Sequence, residues 1–260
     1  MTGAPTSRGF SHVDGFAHVQ TWVFDLDNTL YPADCNLFAQ IDRRMGAFIA
    51  QSFGLSLEEA HALRQHYYAE HGTTLAGLVQ RHDVCPDTFL DYVHDIDLDV
   101  VLPAPELAAA IDALPGRKFV FTNGSRKHAE AVADRLGLLD RFEAIFDIHA
   151  LDYIYPKPTR EAFDRFVKAH GITASSAAMF DDLAHNLETA HAIGMTTVLV
   201  DCRHTERPEH QASAGWTALP AHIHHRTEAL APFLTAIGAA LSGETDRIAA
   251  PTPQALFCLT

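Results

Sequence analysis

Short stretches of this chain are apolar at consecutive positions instead of alternate ones, and that pattern constrains the fold more than any other feature. They are TWVFDL at 21–26, KFVFT at 118–122, AAMFD at 177–181 and TTVLVD at 196–201, with a weaker run, FEAIFD, at 142–147. A strand with one face in water alternates apolar and polar side chains, whereas a strand covered on both faces has no such need. Between the later runs lie segments with helical spacing and helix-end residues. Residues 126–136 follow Ser125 and precede Gly137, 160–170 follow Thr159 and precede Gly171, and 183–193 precede Gly194. Residues 229–241 read as a last helix. Strand and helix alternate at short spacing, which predicts an α/β fold: a Rossmann-like parallel sheet with helices on both faces.

One interval breaks the rhythm. Between residues 26 and 118 nothing reads as a strand. Residues 36–53 carry Leu37, Ile41, Met45, Phe48 and Ile49 at helical spacing, and 57–71, 75–82 and 86–92 look helical as well. An all-helical cap inserted after the first strand starts at the carboxyl edge of the sheet, where open α/β folds bind ligands, so it is placed to act as a lid. The expected organisation is a core of residues 19–32 and 103–242, a cap at 33–102, and flexible tails at 1–18 and 243–260.

Charge narrows the partners. The formal net charge is −14, from 33 Asp+Glu against 19 Lys+Arg. A polynucleotide partner requires a basic footprint, which this balance opposes, and an anionic membrane surface is disfavoured for the same reason. No apolar run approaches the ~18 residues of a membrane span, and MTGAPTSRGF lacks the apolar segment of a signal peptide. Cys35, Cys85, Cys202 and Cys258 form no C-x-x-C pair and read as reduced thiols. The expected location is cytoplasmic, and the oligomeric state is left open.

Four polar clusters read as the carboxyl ends of four predicted strands: Asp25, Asp27 and Thr29 in FDLDNTLYP; Thr122, Asn123 and Gly124 in FTNGS; Lys157 in YPKP; and Asp181, Asp182 and Asn186 in MFDDLAHN. Carboxylates gathered in one crevice repel one another unless a cation neutralises them. Hard oxygen donors suit Mg²⁺, which shares itself with a substrate phosphate. Thr122, the turn before the helix at 126 and the Lys157 ammonium all favour a phosphate group. An aspartate then has the setting to attack phosphorus as a covalent nucleophile, with a second aspartate as acid and base. A phospho-accepting signalling module also combines acids, a Thr and a Lys on a parallel sheet. Its acidic pair comes first in the chain, however, and here the pair comes after Lys157. A binding protein that kept the fold and lost catalysis is a third reading, weakened by the presence of every motif residue.

These four motifs, in this order, resemble those of the haloacid dehalogenase superfamily of phosphohydrolases over roughly residues 21–200. The resemblance implies Asp25 as nucleophile and Asp27 as general acid/base. It implies Asp25, the Asp27 main-chain carbonyl and Asp182 as Mg²⁺ ligands with Asp181 close by, and phosphate binding by Thr122, Asn123 and Lys157. An acid at position 27 is what the true dehalogenases of that superfamily lack. The DNTLYP flap, FDDLAHNLETA and the cap sequence HYYAEHGTTLAGL look like the pyrimidine 5′-nucleotidase branch. That likeness implies a nucleoside monophosphate such as UMP or CMP as substrate, with another small ester, a sugar phosphate or phosphoglycolate, as the alternative.

Within the cap, Tyr67, Tyr68, His71 and Thr74 are candidate contacts for a base, although Tyr at helical spacing also serves packing. HIHH at 222–225 has no matching ligand cluster in the sequence and reads as structural. Asp95, Asp97 and Asp99 alternate as in a calcium loop but lack its Gly and closing Glu, so they read as a solvated connection.

Overall fold

A computed structural model describes residues 15–202, 210 and 212–243. The chain runs β1 (Thr21–Phe24), α1 (Leu37–Phe53), α2 (Leu57–His71), α3 (Thr74–His82), α4 (Pro86–Val93), α5 (Pro105–Ala113), β2 (Arg117–Phe121), α6 (Arg126–Leu136), β3 (Ala144–Phe146), α7 (Arg160–His170), β4 (Ala177–Asp181), α8 (Ala184–Ala192), β5 (Thr196–Val200), β6 (His225–Thr227) and α9 (Leu230–Ser242). The six strands form one sheet in the order β3-β2-β1-β4-β5-β6, and every neighbouring pair is parallel. Because β2 and β4 lie on opposite sides of β1, the order reverses at β1, and a crevice opens there at the carboxyl ends.

The consecutive apolar runs have a direct cause. Trp22 and Phe24 of β1 point into one core with Val120, Phe180, Val198 and residues of α5, α6 and α9. Val23 points into the other, with Phe119, Phe121, Met179, Leu199 and residues of α7 and α8. Alternation by side persists, but both sides are covered, so every position is apolar. The helical segment α1–α4 joins the second core through Ile41, Ile49, Leu78, Phe89 and Val93. No helix among the described residues is long and apolar enough to cross a membrane.

Several expectations need correction. Residues 15–18 are not tail: Phe16 is buried and stacks on Trp22, while residues 1–14 and 244–260, with Cys258, lie outside the described residues. Gly243 is the left-handed cap of α9. The sequence pattern does not announce α5, nor β6, a His-Arg-Thr strand without an apolar run. β6 exists because it pairs with Val198–Val200 at the sheet edge. The neighbouring HIHH run serves that edge: Thr197 Oγ1 donates to the His222 carbonyl, and the Thr197 N–H donates to His224 Nδ1. Asp95 and Asp99 pair with Arg44 and Arg135.

Candidate active site

The crevice is assembled from strand ends. Asp25 comes directly after β1, and its N–H donates to the Phe180 carbonyl, so the end of β1 is tied to β4 and to the acids beyond it. Asp181 is the last residue of β4 and Asp182 the next. The Asp181 carboxylate Oδ1 accepts from the Leu183 N–H and from Asn186 Nδ2, both at 2.9 Å, which fixes the turn into α8. Lys157 is not at a strand end as its motif suggests: it lies well past β3, in the loop before α7. Its main chain is held at both polar groups by Asn123: Lys157 N–H donates to Asn123 Oδ1 at 2.8 Å, and Asn123 Nδ2 donates to the Lys157 carbonyl at 3.0 Å. Thus clamped, the buried ammonium donates to Asp25 Oδ1 at 2.7 Å and to Asp181 Oδ2 at 2.8 Å.

Asp182 belongs to the same group. Its Oδ2 lies 2.6 Å from His210 Nε2 and accepts from Asn28 Nδ2 at 3.4 Å. Oxygens of Asp25, Asp181 and Asp182 all lie within 4.8 Å of one another, and all three residues are buried. Three acids face one lysine, so the group retains negative charge for a hard divalent cation to neutralise. Asn186 Oδ1 is buried without a hydrogen-bond partner and borders the same cavity, an orphan acceptor suited to a cation's hydration water. The residues therefore fit Mg²⁺. The Asp27 carboxylate stands apart from this triad, leaving its main-chain carbonyl as the atom it could offer.

Burial sets the electrostatics. It pushes the Asp25 carboxyl well above the ordinary range; Lys157 opposes this, while Asp181 and Asp182 add to it. Burial would also discharge Lys157, but Asp181 and Asp25 outweigh it and hold the ammonium above its usual value. Asp27 goes the other way: burial raises it, yet the charge and hydrogen bond of His128, with the Tyr31 hydroxyl, hold it below the usual carboxylate range. His128 Nε2 and Tyr31 Oη both donate to Asp27 Oδ1 at 2.8 Å.

The phosphate-type turn is tight. Thr122 is buried, and its Oγ1 accepts from the Gly124 N–H at 2.9 Å. A Cβ at Gly124 would lie 3.3 Å from Thr122 Oγ1, 3.4 Å from the His128 ring and 3.6 Å from Asp27 Oδ2, so glycine preserves the space among them. Not every N–H at this turn is free for a ligand, since Arg126 N–H donates to Asp147 and His128 N–H to Ser125. Asn123 contributes by holding Lys157. Thr29 is buried in the turn after β1.

A cavity of about 910 Å³ separates these strand ends from the helical segment. Tyr68 and Thr74 line it, Tyr68 edge-on to His185. Tyr67 and His71 do not. Tyr67 packs inside the segment with its hydroxyl on His82, over Gly77, where a Cβ would come within 2.4 Å of its ring. His71 packs edge-on against Tyr67, with Nε2 3.6 Å from Glu70. Tyr67 lies about 100° around α2 from Tyr68, on the flank away from Gln65, so it turns into the segment while Tyr68 reaches the cavity. The face that reaches the cavity is His61, Arg64, Gln65 and Tyr68, an i, i+3, i+4, i+7 stripe visible in the sequence once Tyr68 is chosen as its phase. His94, His128 and His210 carry no such local signal, because their partners are distant in sequence; Tyr31 stands four residues from its partner Asp27 within FDLDNTLYP.

The family profile for haloacid dehalogenase-like hydrolases matches residues 19–194. Phosphate metabolism protein 8 of Saccharomyces cerevisiae is 26% identical over 197 residues, covering 69% of this chain and 61% of that protein. The chain thus spans about three fifths of that relative's length. A phosphoglycolate phosphatase of Mesorhizobium japonicum is 25% identical over 201 residues, covering 71% of this chain and 84% of that protein. Among solved structures, the HAD-hydrolase YfnB of Bacillus subtilis gives a TM-score of 0.52 at 13% identity over 84% of this chain and 98% of its own. L-2-haloacid dehalogenase of Xanthobacter autotrophicus gives 0.51 at 16% identity over 86% and 99%. At these identities the structural likeness is one of fold.

Proposed function

The chain belongs to the haloacid dehalogenase-like hydrolases, and from that premise we propose that it is a Mg²⁺-dependent phosphomonoesterase acting on a pyrimidine nucleoside 5′-monophosphate such as UMP or CMP. The carrying observation is the division of labour between two neighbouring aspartates. Asp25 lies against Lys157 in the acidic triad, while Asp27 is held two residues away on separate donors. In this reading an Asp25 oxygen attacks phosphorus, and Asp27, which takes up a proton from solvent when the negative phosphate binds beside it, passes that proton to the departing ester oxygen, leaving an aspartyl-phosphate. Asp27 then takes a proton from the water that attacks this phosphate, which releases inorganic phosphate and restores Asp25. Lys157 and Thr122 hold the phosphate oxygens against the acids. Bound by Asp25, Asp181, Asp182 and the Asp27 carbonyl, Mg²⁺ would supply the positive charge that lets a carboxylate approach a phosphate. The helical segment acts as cap.

The wall opposite the acids supports the nucleotide preference. It offers Phe38, Tyr68, His61 and Gln65 to a ring and its polar edge, and His185 of α8 meets Tyr68 from the acid side. Its Arg64 is already paired with Asp42 at 3.3 Å, and Asp34 and Asp42 border the same space, which disfavours a carboxylate-bearing leaving group. The Mesorhizobium relative is the observation that keeps phosphoglycolate as a second reading. A cytoplasmic setting belongs to the same proposal. The test is a kinetic panel of UMP, CMP, their deoxy forms, sugar phosphates and phosphoglycolate with Mg²⁺ or with EDTA. Highest kcat/KM for a pyrimidine nucleotide supports the proposal. Metal-independent turnover sinks it, and a clear preference for phosphoglycolate moves the specificity to the second reading.

A further inference from the structure

Asp27 is held on one side only. Both donors, Tyr31 and His128, converge on Oδ1, while Oδ2 faces the Thr122–Gly124 turn, 3.6 Å from where a Gly124 Cβ would stand. One oxygen is thus anchored and the other presented to the phosphate side. The anchor itself has a support from outside the core. His128 is buried on the first turn of α6, and the His94 ring lies flat against it, with centroids 4.3 Å apart and 8° between planes. His94 ends α4 of the helical segment. Its Nδ1 stands 3.0 Å from the hydroxyl of Ser125, the residue that caps α6. A second tie, Lys127 to Asp91 at 2.7 Å, joins the same two helices at the surface.

We propose that His128 is the positioning residue of the Asp27 acid/base, and that His94 completes the device from the helical segment by fixing the His128 ring plane. An imidazole hydrogen-bonded at one nitrogen still turns about its terminal torsion, where rotamer preferences are broad. A flat ring packed on its face removes that freedom. Asp27 is then fully aligned only while α4 is docked on α6, so the acid/base is completed as the segment closes. This inference rests on the phosphatase reading.

The test compares two esters in the wild type, His94→Ala, His94→Phe, His128→Ala and the His94→Ala/His128→Ala double variant. An alkyl phosphate such as UMP needs its leaving oxygen protonated; p-nitrophenyl phosphate releases a stable phenolate and does not. General acid catalysis contributes roughly 10²–10⁴-fold, and misalignment forfeits part of it. In His94→Ala, kcat/KM for the alkyl ester should fall roughly 10- to 100-fold, and for the aryl ester less than about 3-fold. His94→Phe, which keeps a flat ring, should recover most of the alkyl-ester loss. The double variant should be no worse than His128→Ala alone, since the His94 effect passes through His128. Equal loss on both esters in a folded His94→Ala variant, or additive losses in the double variant, overturns the proposal. So does wild-type behaviour of His94→Ala. A wild type that hydrolyses neither ester with Mg²⁺ overturns the phosphatase reading itself, a separate result from an active wild type whose variants lack the split.

Discussion

The two walls of the cavity are built on different principles. On the sheet side, the functional groups are bonded mainly to one another: Lys157 bridges Asp25 and Asp181, Asn123 grips Lys157, and Asn186 and Leu183 hold Asp181. On the helical side, one face of α2 meets the space, and its neighbouring residues serve the segment's own packing. The first wall is a closed network whose members depend on each other. The second is a surface whose residues can be exchanged more independently. Substitutions should therefore be severe on one wall and graded on the other.

The largest expected effect is on the sheet side. Asp25→Asn should lower kcat by at least ~10³-fold, as for a missing covalent nucleophile, measured with saturating UMP and Mg²⁺. Its melting temperature should hold or rise, because burial already disfavours the charged carboxyl. A variant of equal activity breaks the assignment of the nucleophile. Lys157→Met should cost about 3–5 kcal/mol in chemical denaturation, since two buried acids lose their shared cation. Mg²⁺ should recover part of that. In the wild type, Mg²⁺ at 100 times its dissociation constant should add about 2.7 kcal/mol, and no stabilisation would count against the acidic triad as its site.

Smaller effects belong to the helical side. Gly77→Ala drives a methyl into the Tyr67 ring and should cost about 1–3 kcal/mol by overpacking, read as earlier proteolysis of the α2–α3 region. Tyr68→Leu should raise KM for the nucleotide several-fold while kcat stays within about 3-fold, as expected when binding is lost uniformly. A collapse of kcat there would erase the contrast between the walls. The smallest effect is on pH dependence. Burial, then the neighbouring His128 charge, lowers His94 from 6.5 to about 3. Between those values the unfolded chain holds a proton that the folded chain lacks, so this residue makes stability rise with pH and fall as pH drops below about 6.5. Denaturation midpoints at pH 7 and pH 5 should differ less in His94→Phe than in the wild type.

The sheet-side residues are legible in the sequence because a parallel strand buried on both faces announces itself in consecutive apolar residues, and the strand end directs the next side chains into the crevice. Asp25, Asp27, Thr122 and the Asp181–Asp182 pair stand at or just past such strand ends, and Lys157 stands out in its YPKP loop. Tyr67 misleads because helical spacing reports that a face exists without reporting its phase. Asn123 reads in sequence as a phosphate contact, but its amide grips the main chain of Lys157, a residue far along the chain.

Local sequence by itself determined the elements other than α5 and β6, and the chemistry at their ends, since burial pattern and helix-end residues act over a few positions. Tertiary structure alone decided which face of α2 meets the cavity, that His-Arg-Thr pairs as an edge strand, that Phe16 is core, and that His94 lies flat on His128. Each of these depends on a surface brought from elsewhere in the chain, and a contact between distant segments leaves no pattern in either segment alone.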